Sequence, residues 1–288
     1  MTDMLAIIGR LRPDPGAPAL WHRPGLLVPL VPVLLLAVAT AAPGLFTGLA
    51  PDAIDTDAIL AHPGPAHWFG TDQLGRDVFA RVVHGTSLSL TIGLGATLVA
   101  CAGGVLLGLA AALAPPVVRA ILVRLIDVFL AFPEILLALL VIVALGRGPA
   151  NTLLAVGLSS IAGYARLVRS QVLRVVRSGY VEHAVALGEP RRTIILRHVI
   201  PNATRPLVVV ATIGLGHAVL TASALSFIGL GVVPPVAEWG ALLADGRNYL
   251  DTAPWISVLP ATVVAVSVIA ITILGRGLQD LLAGSDGA

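Results

Sequence analysis

Residues 88–113 read LSLTIGLGATLVACAGGVLLGLAAAL, without one charged side chain. A helix needs about 20 predominantly apolar residues to cross a hydrocarbon core of about 30 Å, and this run suffices even when tilted. Five further apolar segments, at 26–46, 128–145, 152–168, 206–230 and 256–274, repeat the signal on either side of it. The whole chain agrees, since 57% of its 288 residues are hydrophobic and only 12% charged, where a soluble domain carries roughly 25% charged residues. A water-soluble globule is excluded. The pattern predicts an all-α, polytopic membrane protein with six transmembrane helices.

The third segment is the least regular, because Asp127 and Glu134 flank an Ala131-Phe132-Pro133 break. A carboxylate at mid-bilayer costs about 2.5–3.5 kcal/mol on insertion scales, which places the start of the buried part near Ile135. In the second segment Gly93, Gly95, Gly103, Gly104 and Gly108 allow helices to approach closely, and Gly104 and Gly108 form a GxxxG. Cys101, the single cysteine, lies in the same run and is read as a buried packing residue, with neither a disulfide nor a metal cluster available to it.

All 18 basic residues are Arg, and eight of them fall between Arg166 and Arg205. A basic stretch can bind nucleic acid, but one flanked by apolar spans reads as a cytoplasmic loop facing the anionic headgroups of membrane lipid, so no nucleic-acid partner is expected. With the N-terminus inside, Arg10, Arg12, Arg23, Arg119, Arg124, the eight of the loop and Arg276 are cytoplasmic. Only Arg76, Arg81, Arg147 and Arg247 are then outside, as the positive-inside rule favours, and both termini are cytoplasmic. The first segment has a competing reading as a signal peptide cleaved after Ala37-Val38-Ala39; the long polar lead and the apolar run continuing to Phe46 favour its retention.

The most informative polar stretch runs from Tyr180 to Asn202. Gly188 suits a left-handed residue closing one short helix, Pro190 suits the first turn of a second, and Pro201 is expected to end it. The result is a stiff helical elbow between two spans, able to transmit a push where a floppy loop would not. An ordinary interfacial amphipathic helix is the plainer alternative. At the other end, Gly70-Thr71-Asp72-Gln73-Leu74-Gly75-Arg76-Asp77 is a turn-rich segment in which Thr71, Asp72 and Asp77 can cap backbone N–H groups and Arg76 can pair with a carboxylate. A structural role is expected there, with a ligand role for Asp72 or Asp77 as the alternative. His62, His67 and His84 have no chelating spacing and read as solvated or interfacial, and His217 in the fifth segment reads as isolated, so no metal site is expected. The chain carries no His-Glu-x-x-His, no Gly-x-Ser-x-Gly and no P-loop, hence no hydrolytic or nucleotide site is evident.

Glu182, Ala184 and Gly188, followed by Ile200-Pro201, resemble the Glu-Ala-Ala-x-x-x-Gly loop of ABC importer permeases, with His183 standing where that family usually has Ala. Residues 70–77 resemble the Gly-Thr-Asp-x-x-Gly-Arg-Asp signature of the oligopeptide, dipeptide and nickel branch, in the C-type permease of the pair. Ala131-Phe132-Pro133, Tyr164-Ala165-Arg166, Leu225-Ser226-Phe227-Ile228-Gly229, Pro234-Pro235, Trp239-Gly240 and Ala253-Pro254-Trp255 recur there in this order, so the likeness covers about 66–281. It implies a type I ABC importer permease fold in a bacterial inner membrane. A first helix and outer loop would occupy 26–87 and a five-helix core 88–282, with a coupling loop at 169–205 and tails at 1–25 and 283–288. The implied partners are a second homologous permease, two ATP-binding subunits that hold the ATP and Mg, and an extracytoplasmic substrate-binding protein; this chain itself binds no cofactor. Peptide is the implied substrate, with nickel or a metal chelate as the alternative. An ion-coupled secondary transporter needs more mid-membrane ionisable groups than Asp127, Glu134 and His217 supply, and a membrane scaffold needs no coupling loop.

Overall fold

The computed structural model describes residues 24–285, whose regular elements are all helical. In chain order they are α1 (Pro24–Ala41), α2 (Val78–Leu113), α3 (Pro116–Ala131), α4 (Glu134–Leu145), α5 (Pro149–Val176), α6 (Gly179–Ala186), α7 (Arg191–Phe227), α8 (Trp239–Gly246) and α9 (Trp255–Ser285). Apart from their inner few residues, the expected tails at 1–25 and 283–288 lie outside the described residues, as do Arg10, Arg12 and Arg23.

By length and composition α2, α7 and α9 can each cross a membrane alone. The third span differs from its expected form. It is a helix pair, α3 and α4, bent by 95° at Phe132-Pro133. Proline disfavours helical backbone in the residue before it, and Phe132 is accordingly extended, with φ −90° and ψ 141°. The twelve residues of α4 reach only about 18 Å, short of a crossing, while α3 and α4 taken together meet the length and composition of one span. The apolar part of α1, Leu27–Ala41, and the 28-residue α5 complete the six segments.

α5 is less apolar than the others for a packing reason. Its Thr152, Gly157, Ser159 and Ala162 are buried against protein. The buried face of α2 carries Gly93, Ala96, Ala100, Gly104, Gly108 and Ala111, while Leu94, Leu98 and Leu106 form an exposed stripe at helical spacing on the opposite side. A Cβ on Gly104 would lie 2.3 Å from the Tyr164 Cβ, and one on Gly108 would lie 2.6 Å from the Ala165 carbonyl oxygen. The two backbones are therefore in contact, which is what the GxxxG provides. α7 packs against α2, α5 and α9, and α1 lies against α9 and α2.

This contact predicts that Gly108→Val lowers stability by about 1–3 kcal/mol or more through overpacking, while Leu106→Val on the exposed stripe changes little. Thermal unfolding of the detergent-purified protein, followed by size-exclusion recovery, compares the two.

Candidate functional site

Polar side chains gather at three places: a knot at one end of the bundle, an elbow at the other, and a cavity between them.

The knot is built on residues 70–77. Asp72 uses both oxygens: Oδ1 accepts from the N–H groups of Leu74 (2.9 Å) and Arg76 (3.0 Å), and Oδ2 from Arg76 Nε (2.7 Å) and Arg81 Nη1 (3.0 Å). Both guanidinium groups also lie 3.7 Å from Asp245 Oδ2 on α8. Arg81 is only 1% exposed. Asp77 caps α2 by accepting from the Ala80 N–H (2.6 Å), and its second oxygen meets His67 Nδ1 at 2.8 Å. Thr71 accepts from the Ala61 N–H and donates to the Ala58 carbonyl, while its own carbonyl accepts from Trp255 Nε1 at the start of α9. Gly75 has φ +75°, and a Cβ there would fall 1.7 Å from the Asp55 carbonyl oxygen, so no other residue fits. One eight-residue segment thus ties the loop before α2 to α2, α8 and α9. His67 departs from its reading as a solvated or interfacial side chain: it is partly buried and bonded to Asp77. His62 stacks on Trp255 with ring centroids 4.4 Å apart.

Sequence reasoning missed half of this knot. Arg81 and Asp245 were not singled out, because nothing in a linear pattern reveals that two positions 164 residues apart share a guanidinium. Glu238 was missed as well. It is buried at the N-cap of α8, accepting from the Gly240 (2.8 Å) and Ala241 (3.0 Å) N–H groups, and its place just before Trp239-Gly240 was the available signal. Burial pushes the Glu238 carboxyl above the usual carboxylate range, against the pull of those N–H groups and the Ser226 and Ser89 hydroxyls. Asp245 is also pushed up by burial, against the attraction of Arg76.

The elbow begins with α6. The Gly188 N–H donates to the Val185 carbonyl (3.0 Å) and the Glu189 N–H to the Ala184 carbonyl (3.1 Å), the paired bonds of a Schellman C-cap with Gly188 at φ +77°. A Cβ at Gly188 would meet nothing within 4 Å, so backbone conformation alone calls for glycine. Val181 and Ala184 are buried with Ile194, Val199, Val168 and Val172, and Arg191 donates to the Leu113 carbonyl at the end of α2 (3.3 Å). The opposite side presents Tyr180, Glu182, Val185 and Leu187, the last 83% exposed.

Two details of the expected elbow are corrected. Pro190 stands just ahead of the helix that starts at Arg191, and Pro201 does not end that helix. The chain runs through Pro201 to Phe227, because Ile195–Val199 widens into a π-turn that makes room for a ring with no N–H to donate. The elbow is one short helix on a rigid stem.

The cavity, of about 500 Å³, lies between α2, the α3–α4 break, α5 and α7. Glu134, Ser159, Ser160, Tyr164 and His217 contribute its polar wall. His217 is not isolated as the sequence suggested: its Nδ1 lies 3.9 Å from Glu134 Oε1, which also accepts from the Ser160 hydroxyl. Nearer the elbow, Asp127 pairs with Arg166 at 2.7 Å. Among the described residues no three His, Cys, Asp or Glu side chains converge as metal ligands do.

A bundle with apolar outer stripes, a bent helix pair and an open, mainly apolar cavity that holds a few polar groups is the architecture of a membrane transport permease. Residues 104–285 match the binding-protein-dependent transport system inner membrane component family, and the chain belongs to it. It is 39% identical over 250 residues to the glutathione transport system permease protein of Pectobacterium atrosepticum, covering 87% of this chain and 83% of that one. It is 41% identical over 213 residues to the di/tripeptide transport system permease protein of Pseudomonas aeruginosa (74% and 70% covered). A dipeptide permease of Alkalihalophilus pseudofirmus is 39% identical (77% and 73% covered). Among solved structures, a methionine ABC transporter in an inward-facing conformation superposes with a TM-score of 0.56 at 19% identity, over 69% of this chain and 94% of that one. An amino acid ABC transporter gives 0.54 at 17% identity, over 70% and 92%. The fold is that of a type I ABC importer permease in the bacterial inner membrane.

The knot makes a graded prediction. Asp72→Ala strands two buried guanidinium groups and should cost about 3–5 kcal/mol, the usual penalty for breaking a buried pair from one side. Asp245→Ala removes only the more distant and more exposed carboxylate and should cost less. Thermal stability of the two purified variants ranks them.

Proposed function

We propose that this chain is one of two permease subunits of an ATP-driven importer for short peptides. The observation that carries this reading is the elbow: α6 has one side fused into the bundle core and presents Tyr180, Val185 and Leu187 on the other. Exposed apolar side chains on a rigid projection suit a protein partner. In the proposed assembly that partner is one of two ATP-binding subunits, which hold Mg and ATP and carry out the hydrolysis. Glu182, Ala184, Gly188 and Pro201 then form the coupling element, with Glu182 facing the ATPase and Ala184 anchoring α6 to the bundle.

The excess of Arg around the elbow supports an orientation with that end and both termini in the cytoplasm and the knot outside. Gly70, Thr71, Asp72, Gly75, Arg76 and Asp77 hold the outer end in shape beside the site where a substrate-binding protein delivers its cargo. A second, homologous permease completes the pathway. Closure of the ATPase pair draws the coupling helices together and opens the spans outward, and hydrolysis restores the inward state. Peptide is preferred to nickel because the relatives described above are named for glutathione, di/tripeptide and dipeptide transport.

The test is reconstitution with the partner subunits and peptide-loaded binding protein. Gly188→Val puts a β-branched residue at positive φ, where it is a genuine outlier, and should abolish uptake while membrane insertion is unchanged. Gly188→Asn, which tolerates that conformation, should retain much more activity. Glu182→Ala should weaken ATPase association by about 1–3 kcal/mol. Wild-type uptake in Gly188→Val would remove the elbow from the coupling mechanism.

A further inference from the structure

Glu134 and His217 meet at the bend of the helix pair, where the Ser160 hydroxyl occupies only one oxygen of the carboxylate. His217 lies ten residues from Phe227, about 15 Å along α7 and so near the middle of the span. Glu134 opens α4 at the bend of the broken span. Ionisable groups at such depth are rare, and they face a protein interior or a water-filled path rather than lipid. Yet in this chain His217 is 57% and Glu134 35% exposed at the side chain. That face cannot rest against hydrocarbon.

The surroundings narrow the ligand. The wall of the cavity is mainly apolar, with Phe129, Phe132, Leu137 and Ile213 among its lining residues, and its charge-bearing groups are this carboxylate and imidazole. Ser160 donates to Glu134 Oε1, while among the described residues Oε2 accepts no hydrogen bond. Nothing in Glu134 can be the donor to His217 when the acid is ionised, and at 3.9 Å the two are too far apart for a direct hydrogen bond. A held but incompletely paired carboxylate is an acceptor for a cation. A neighbouring imidazole that can donate suits a carbonyl or carboxylate close to that cation. An ammonium group with a carbonyl two bonds further on is the amino-terminal end of a peptide.

Resting on the peptide reading given above, we infer that Glu134, steadied by Ser160 and assisted by His217, forms a subsite in the permeation pathway that receives the ammonium terminus of a peptide in transit. Glu134 supplies the counter-charge and His217 orients the adjoining backbone. The apolar wall tolerates varied side chains, so the subsite reads the common terminus and leaves side-chain choice to the binding protein.

Gly163 supplies the probe position, because it lines the same cavity and a Cβ there meets nothing within 4 Å. In the full transporter, with Cys101→Ala and Gly163→Cys in this chain, labelling by a water-soluble thiol reagent is measured without nucleotide. Dialanine at millimolar concentration should slow labelling, and N-acetyl-dialanine, which lacks the charge, should not. Glu134→Gln should abolish the protection and lower binding-protein-dependent dialanine uptake about tenfold, the loss expected when a charge-assisted hydrogen bond goes. Glu134→Asp should retain both. Complex recovery and thermal stability should be unchanged in Glu134→Gln, which a merely structural carboxylate would not allow. Equal protection by both peptides, no protection by either, or protection that survives Glu134→Gln overturns the subsite. Failure of the wild-type transporter to import dialanine at all would instead overturn the peptide reading, and the ligand assigned here with it.

Discussion

Hydrocarbon cannot solvate a charge or an unpaired backbone group, and the arrangement of this chain follows from that. Each polar side chain must leave the bilayer, find a partner inside the protein or line a path containing water. The three outcomes are separated in space. At one end Arg76 and Arg81 are withdrawn from solvent and neutralised by Asp72 and Asp245. At the other, arginines surround the elbow. Between them Glu134 and His217 remain at mid-depth, partly exposed toward whatever completes the pathway.

The two ends are stiff for different reasons. At the knot, a single aspartate accepts four hydrogen bonds, two of them from guanidinium groups, so the loop before α2 and α2 itself are held together, and Asp245 on α8 lies 3.7 Å from the same guanidinium groups. At the elbow, stiffness comes from burial of Val181, Ala184, Ile194 and Val199 in one cluster and from the left-handed cap at Gly188. Between them α2 and α5 touch backbone to backbone through Gly104 and Gly108, a contact that can convey displacement along the bundle without a loose joint. The proposed importer, driven at the elbow and gated at the knot, depends on this mechanical continuity.

Much of this was legible in the sequence. Apolar runs gave the helices, Phe132-Pro133 marked the weak point of the third span, and the glycine at 188 matched a backbone that only glycine adopts cheaply. What escaped were features made by distance in the chain. Arg81 looked like an outer-loop charge, but its partners Asp72 and Asp245 bury it. His217 looked solitary because Glu134 lies 83 positions away, and only the bend between α3 and α4 brings the two together. Pro201 looked like a helix end because a π-turn is a property of hydrogen-bond register and not of residue type.

In the proposed importer the cavity beside Glu134 and His217 belongs to a water-filled path opened alternately to the two sides of the membrane. Val210 lines that cavity on α7, whereas Leu98 lies on the exposed stripe of α2. The direct measurement is the reaction of Val210→Cys and Leu98→Cys, each with Cys101→Ala, with a charged, membrane-impermeant thiol reagent applied from each side of the assembled transporter. Position 210 should react from the elbow side without nucleotide and lose that reactivity when ATP is trapped, while position 98 should react in neither state. Equal inertness of both positions in every state would show that the cavity faces lipid or packed protein and lies on no water-filled path.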